Sequence, residues 1–238
     1  MHEMEQGQRA RRDFLRAAGL GGAAIALAAC GTNVDDGLTA PTSPAGVNPS
    51  PAVIGPNGSV TLDFSNEVDV LNYAFALEQL EAAFYTQVVA APAFASTFPA
   101  ANERRILTDL RDHEIVHREF FAAALGSARI PNLTPNFSSV NFGDRLSVLN
   151  TARTFEDLGV GAYNGAGRFL KTAGLLTLAG KIVSVEARHA AAIRDVLNPR
   201  SGGPNGFAPN AYDAGITPQN VLAAAGPFIV ENITVINA

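Results

Sequence analysis

The feature that most constrains this chain is a pattern of acidic residues and histidines that occurs twice. Glu114 and His117 stand three residues apart in one Glu-x-x-His motif, and Glu186 and His189 do so in a second. Residues three apart project from the same face of a helix, so each pair can approach one ion side by side. A single motif of this kind often arises by chance. Two related copies favour a shared internal site.

The segment that precedes each motif is repeated as well. A Glu, a Leu and a Tyr recur there with identical offsets. They are Glu78, Leu80 and Tyr85 in the first copy and Glu156, Leu158 and Tyr163 in the second. The chain therefore contains two matching halves, each with one Glu on a first helix and a Glu-x-x-His motif on a second.

Apolar residues at helical spacing predict four long amphipathic helices. Their expected ranges are 65–89, 101–125, 144–172 and 174–197, and Ser65 or Asn66 can cap the first. Residues 126–143 contain two prolines and several Asn and Ser residues, which predicts a long crossover between the second and third helices. The predicted fold class is therefore all-α, a four-helix bundle with one long crossover.

The rest of the chain is expected to flank this bundle, which we place at residues 61–198. Residues 31–60 are rich in Pro, Gly, Asn, Ser and Thr and are predicted to form a flexible tether. Residues 199–238 are predicted to form a C-terminal extension with one short helix at residues 218–225. An apolar patch at residues 228–230 is expected to pack back on the bundle.

The predicted ligands all fall on the apolar stripes of their helices. Glu78, for example, lies seven residues from both Leu71 and Tyr85. Four carboxylates in a bundle core would repel one another and lose their hydration, at a cost of several kcal/mol each. Two cations offset that cost, and an oxygen-rich ligand set suits iron or manganese. We expect a centre of two iron or manganese ions held by Glu78, Glu114, His117, Glu156, Glu186 and His189.

Three assignments have alternatives at the sequence level. Glu81 is an alternative to Glu78 as the ligand from the first helix. The residue equivalent to Glu81 in the second half is Gly159, so the repeat favours Glu78. His113 is interpreted as a histidine behind a ligand or at the surface, with a seventh ligand as the alternative, because the second half has Val185 at that position. Tyr85 and Tyr163 are candidate catalytic residues, able to bond a ligand or pass an electron, or else core aromatics with satisfied hydroxyls.

The N-terminal 30 residues have the pattern of an export signal. A twin-arginine sequence at residues 11–16, RRDFLR, precedes a stretch of apolar and small residues that ends in Leu27-Ala28-Ala29-Cys30. This ending resembles a bacterial lipobox, which implies that Cys30 becomes a lipid-modified N-terminus. The alternative is ordinary cleavage near Ala29 and release of the protein. We expect an exported protein in the periplasm or cell envelope, attached to the membrane by its lipid.

Charge and cysteine content limit the possible partners. The net charge is −5 and no run of basic residues follows the first 20 residues, which argues against nucleic acid. The single cysteine rules out a disulfide within the chain. One cysteine is also too few for a four-cysteine iron domain. If the metal centre carries out redox chemistry, we therefore expect its electron donor to be a separate molecule.

Four segments together resemble the ferritin-like superfamily, specifically the exported ferritin-like proteins that include desiccation-related members. They are ALEQLEAAFY, DHEIVHREFF, FEDLGVGAYNGA and SVEARHAAAIRD, within residues 66–195. The resemblance implies a ferritin-like bundle, with Glu78 and Glu156 as single-helix carboxylates and the two Glu-x-x-His pairs as the other ligands. It also implies that one or more carboxylates bridge the ions.

The leading functional expectation is redox chemistry with dioxygen or peroxide, or Fe(II) oxidation. A second is a non-catalytic stress or desiccation scaffold with structural metal or none, and a third is an envelope binding protein. A homodimer through apolar outer faces is compatible with the sequence. Whether the protein is an enzyme is left open at this stage.

Overall fold

The structure is a computed structural model, and it describes residues 52–238. The predicted signal peptide, Cys30 and residues 31–51 of the predicted tether lie outside the described residues. The remainder of the tether, residues 52–60, is part of the folded unit.

Six helices occur in the described part of the chain, and four of them are long. In chain order they are α1 (Glu67–Ala90), α2 (Phe94–Thr97), α3 (Ala101–Leu125), α4 (Arg145–Ala166), α5 (Ala173–Leu197) and α6 (Pro218–Ala225). α1 packs along α3, and α4 packs along α5, so each predicted half forms a helical hairpin. The two hairpins meet through α1 with α4 and α3 with α5. The predicted all-α bundle, with its crossover between α3 and α4, is confirmed.

Local side-chain contacts set the helix ends. Asn66 caps α1, because its side chain accepts a hydrogen bond from the Val68 amide at 3.0 Å. The prediction that the third long helix continues to residue 172 is wrong, since α4 ends at Ala166. The Glu67 carboxylate accepts hydrogen bonds from the amides of Lys171 and Thr172 at 2.6 and 2.8 Å. This contact between distant segments fixes the turn before α5.

The crossover is held by polar side chains of α1 that lie in the interior. The Asn72 side chain donates to the Ala128 carbonyl at 2.9 Å and accepts from the Ile130 amide at 2.8 Å. Gln79 accepts from the Leu133 amide at 2.8 Å. Irregular backbone against a core needs such partners, so these two residues place the crossover on the bundle.

A small three-stranded sheet that the sequence did not predict joins the two ends of the folded unit. β1 (Val53–Ile54) pairs antiparallel with β2 (Val60–Asp63), and β2 pairs parallel with β3 (Ile233–Ile236). The strands are too short for a clear alternating pattern, and the partner of β2 is distant in sequence. The sheet lies beside the bundle and leaves its helical class unchanged.

The C-terminal extension packs on α4. The Phe228 ring contacts the Phe155 ring edge to face, with centroids 4.8 Å apart, and Ile229 is buried, whereas Val230 is exposed. The chain before α6 crosses α4 at close range, and the Ile216 amide donates to the Gly161 carbonyl at 2.8 Å. A Cβ atom at Gly165 would collide with the Ile216 carbonyl, so this crossing requires glycine.

Within residues 52–238, the helices are too short or too polar to be candidates for membrane spans.

Candidate metal centre

The structure brings the six predicted ligand residues together inside the bundle. α1 supplies Glu78, α4 supplies Glu156, and α3 and α5 each supply a Glu-x-x-His pair. All four glutamates are fully buried, and His189 is 3% exposed. The side chain of His117 is 12% exposed and lies nearest to solvent. Ionisable groups are rarely buried to this extent unless they are paired or bind metal.

The ligand atoms form two groups in which all atoms lie within 4.8 Å of one another. The groups are Glu78, Glu114, His117 and Glu186, and Glu114, Glu156, Glu186 and His189. Each group has one histidine and one carboxylate of its own. The two halves of the sequence repeat therefore contribute matching residues to two adjacent groups that could each hold a metal ion.

Glu114 and Glu186 belong to both groups. Oε2 of Glu114 lies 3.6 Å from Nδ1 of His117, and its Oε1 lies 2.7 Å from Nδ1 of His189. Glu186 is placed in the same way: its Oε1 lies 2.9 Å from Nδ1 of His117, and its Oε2 lies 3.7 Å from Nδ1 of His189. Each carboxylate thus offers one oxygen to each group, as a bridging ligand does.

The buried donor atoms approach one another without forming hydrogen bonds. Nδ1 of each histidine lies within 3 Å of a carboxylate oxygen, but neither these nitrogens nor the carboxylate oxygens of Glu114 and Glu186 have the geometry of a hydrogen bond. One oxygen of Glu78 and one of Glu156 are in the same situation. Unpartnered buried polar atoms are costly, and a metal ion is the partner that accepts lone pairs from nitrogen and oxygen alike. The donor set therefore fits two metal ions.

Without a cation, the histidines carry the compensating charge. Burial alone lowers the pKa of His189, but its neighbours Glu114, Glu156 and Glu186 raise it to about 12. The pKa of His117 is likewise raised far above its usual range by Glu114, Glu186 and Glu78, against the effect of burial. A metal ion bound here would have to displace these protons from the histidine nitrogen atoms.

The two shared carboxylates differ in their pKa. Burial and the neighbouring charge of Glu186 raise the pKa of Glu114 to about 8. Burial also acts to raise the pKa of Glu186, but its contacts with His117 and His189 lower it to about 2. In the metal-free protein, Glu114 thus retains its proton more readily than Glu186.

The two repeated tyrosines each bond a carboxylate of the opposite half. The Tyr85 hydroxyl donates to Oε1 of Glu156, and the Tyr163 hydroxyl donates to Oε1 of Glu78, both at 2.5 Å. Each glutamate is left with its other oxygen facing its group of ligands. The tyrosines therefore orient the two unshared carboxylates, and their hydroxyls are satisfied by them.

Glu81 is a fifth buried carboxylate beside the centre. It is 4% exposed, and a Cβ atom at Gly159 would lie 3.0 Å from its Oε1 and 3.7 Å from Oε2 of Glu186. Burial and four neighbouring glutamates, Glu114 foremost, raise its pKa well above the usual range. Gly159 occupies the position equivalent to Glu81 in the second half, which argued against Glu81 as a ligand. In the structure, this glycine makes room for the Glu81 side chain.

His113 lies behind His189 on the side away from the carboxylates. Its Nδ1 is 2.9 Å from Nε2 of His189, and the two rings are stacked with centroids 5.2 Å apart. Such a partner fixes the orientation of a ligating imidazole. The equivalent residue in the second half is Val185, so the His189 side of the centre has a support that the repeat does not duplicate.

Comparison with known proteins agrees with this geometry. Residues 66–199, more than half of the chain, match the model of the ferritin-like domain family, and this range contains all six ligand residues and both tyrosines. No curated protein matched the sequence. The four-helix fold, the paired clusters of buried Glu and His residues and the family match together lead to one conclusion: the chain belongs to the ferritin-like domain family.

Proposed function

We propose that this protein is an exported di-metal protein that binds two iron or manganese ions and uses them for redox chemistry with dioxygen or peroxide, or to oxidise Fe(II). The observation that carries this proposal is the sharing of Glu114 and Glu186 between two groups of ligand atoms. Two bridging carboxylates hold two ions close together, within about 4 Å in known two-metal sites.

The choice of metal follows from the donor atoms. The two groups contain four carboxylates and two imidazoles, and the chain has no cysteine among residues 52–238. Carboxylate-rich sets with imidazole suit iron and manganese, whereas thiolate ligands would have favoured zinc or copper. A bound pair of such ions supplies a place for one-electron and two-electron chemistry.

The protein's own groups prepare the site for that chemistry. Tyr85 and Tyr163 hold the unshared carboxylates in position through their hydroxyls. Burial of the four glutamates excludes bulk water, which strengthens their attraction to cations. Their role would be to exchange a proton with the carboxylate that each hydroxyl bonds, or to supply an electron to a bound metal pair.

The sequence supports a location at the cell envelope. The twin-arginine pattern and the Leu-Ala-Ala-Cys ending at Cys30 favour export and a lipid anchor. Replacing Cys30 by Ser should release the protein from the membrane fraction. If the variant stayed attached as before, the lipid-anchor proposal would be wrong.

A test of the di-metal function combines metal analysis with spectroscopy. We expect two iron or manganese ions per chain, and an absorption change when the reduced, loaded protein meets dioxygen or peroxide. Glu114→Ala should remove the metal, whereas Glu119→Ala, a control on the exposed face of the same helix, should retain it. Loaded protein that responded to neither oxidant would contradict the redox proposal.

A second candidate is a helical scaffold that works without redox chemistry. It rests on the short contacts of His117 and His189 with the carboxylates, because protonated imidazoles there could offset part of the buried negative charge without metal. If the protein is such a scaffold, removing the metal should leave it folded and should not change the stress or desiccation tolerance that it confers. Loss of that tolerance together with the metal would exclude this candidate.

A further inference from the structure

The two halves of the candidate metal centre differ at the residue four positions before each ligating histidine. This residue is His113 on α3, before His117, and Val185 on α5, before His189. In the structure, His113 faces the histidine of the opposite half, since its Nδ1 lies 2.9 Å from Nε2 of His189. Because the two halves match, we expect Val185 to lie in the same way beside His117.

The contact with His113 determines which nitrogen of His189 can bind an ion. Nδ1 of His189 lies 2.7 Å from Oε1 of Glu114, so it is the nitrogen that faces the ligand group. For Nδ1 to offer its lone pair, the proton of the neutral ring has to lie on Nε2. Nε2 then donates this proton in a hydrogen bond to Nδ1 of His113. Hydrogen bonds of this kind fix the orientation of a ligating ring and make it a stronger ligand.

His117 has a different environment on the side away from the carboxylates. Val185 carries only a hydrocarbon side chain, so it cannot accept a hydrogen bond from the His117 ring. The side chain of His117 is also 12% exposed, whereas that of His189 is 4% exposed. The His117 group therefore offers an ion a less constrained imidazole that lies closer to solvent.

A second difference between the halves falls on the same side of the centre. Glu81 on α1 has Gly159 as its counterpart, so only the first half supplies a fifth carboxyl group. A Cβ atom at Gly159 would lie 3.0 Å from Oε1 of Glu81 and 3.7 Å from Oε2 of Glu186. This oxygen of Glu186 is the one assigned to His189, whereas Oε1 is closer to His117. Glu81 therefore adds a carboxyl oxygen beside the His189 group, and a glycine cannot do the same beside the His117 group.

We propose that the two metal positions are unequal: the position beside His189 binds its ion first and more tightly, and the position beside His117 holds an exchangeable ion. The proposal rests on the two-metal centre of the proposed function, but it does not depend on the redox reaction. His113 is a positioning residue here, because it contacts the ligating ring and not the ion. Loss of such a partner costs about 10- to 100-fold in metal affinity.

Manganese(II) is a suitable probe, because its binding can be followed without a redox step. Calorimetric titration of the metal-free protein should resolve two binding steps that differ by at least about 10-fold in Kd. Crystals that contain one equivalent of manganese(II) per chain should show their anomalous peak beside His189. Equal affinities, or an ion that first occupies the position beside His117, would overturn the proposal.

Variants of two residues test whether His113 causes the inequality. His113→Leu removes the acceptor at an exposed position and should weaken binding beside His189 by about 10- to 100-fold, so that this position no longer fills first. His113→Asn keeps an acceptor atom close to the place of Nδ1 and should retain most of the affinity. Val185→His supplies an acceptor beside His117 and should tighten the second step.

The remaining outcomes separate the failure of this proposal from that of the proposed function. An unchanged order of filling in His113→Leu, or equal weakening of both positions, would overturn the role of His113. A protein that bound no manganese(II) inside the bundle would overturn the two-metal centre and this proposal with it. Two unequal steps in a protein that responds to neither dioxygen nor peroxide would support the unequal positions and contradict only the redox reaction.

Discussion

Replacing Glu114 by Gln should weaken metal binding far more than it affects the metal-free fold. The amide keeps the volume of the side chain but loses the charge that both groups of ligand atoms share. It leaves no cavity in the core, and the pKa of Glu114, raised to about 8, already leaves this carboxyl group mostly protonated in the metal-free protein near neutral pH. We therefore expect little change in the melting temperature of the metal-free protein.

The magnitude for the loaded form follows from mass action. At a metal concentration of about 1,000 Kd, binding stabilises the fold by about 4.1 kcal/mol. A loss of about 100-fold in affinity would reduce this contribution by about 2.7 kcal/mol. For a domain of this size, each kcal/mol shifts the melting temperature by about 2 to 4 °C, so the loaded variant should melt about 5 to 11 °C lower.

The assay is thermal unfolding of wild type and variant, each with and without metal, together with metal content. Glu119→Gln is the matched control, because Glu119 lies on the same helix, is 63% exposed, and pairs with Arg118, its neighbour in sequence. Exposed pairs of this kind contribute about 0 to 1 kcal/mol. An equal fall in melting temperature for both variants, or an equal effect of Glu114→Gln with and without metal, would show that Glu114 does not bind the ions.

Three further predictions concern pH, a tyrosine and the chain crossing. The melting temperature of the metal-free protein should fall between about pH 6.5 and pH 9, because the raised folded-state pKa values of His189 and Glu114 give a stabilisation that is lost as pH rises. The metal-loaded protein, measured in parallel, should show no such fall. An equal dependence of melting temperature on pH in both forms would contradict this prediction. Tyr163→Phe should retain both metal ions in elemental analysis but alter their absorption spectrum, since its carboxylate partner loses a hydrogen bond; an unchanged spectrum would leave the tyrosine only a packing role. Gly165→Ala should destabilise the fold by about 1 to 3 kcal/mol in denaturant unfolding, because its methyl group collides with a backbone carbonyl; Gly174→Ala, where nothing lies within 4 Å, should be neutral or stabilising, and similar losses in both would argue against the close crossing.

The bundle and its inner residues could be predicted because they are encoded by short-range periodicity. The apolar stripes gave the range of α3 without error, and a carboxylate on such a stripe has to point inward. The repeat between the two halves then identified the same six side chains that the structure brings together. Neither step needed knowledge of contacts between distant residues.

Features that depend on contacts between distant residues could not be predicted in the same way. The turn before α5 is fixed by Glu67, more than 100 residues away in sequence, and the small sheet pairs β2 with a strand near the C-terminus. The orientation of Glu81 depends on the empty space at Gly159 on another helix. The glycine was visible in the sequence, but which side chain would occupy its space was not.

The arrangement of two ions across Glu114 and Glu186 can be measured directly by anomalous diffraction from manganese-loaded crystals. We expect two peaks inside the bundle, about 3.5 to 4 Å apart, one beside His117 and the other beside His189. A single interior peak, or peaks confined to surface carboxylates, would contradict it.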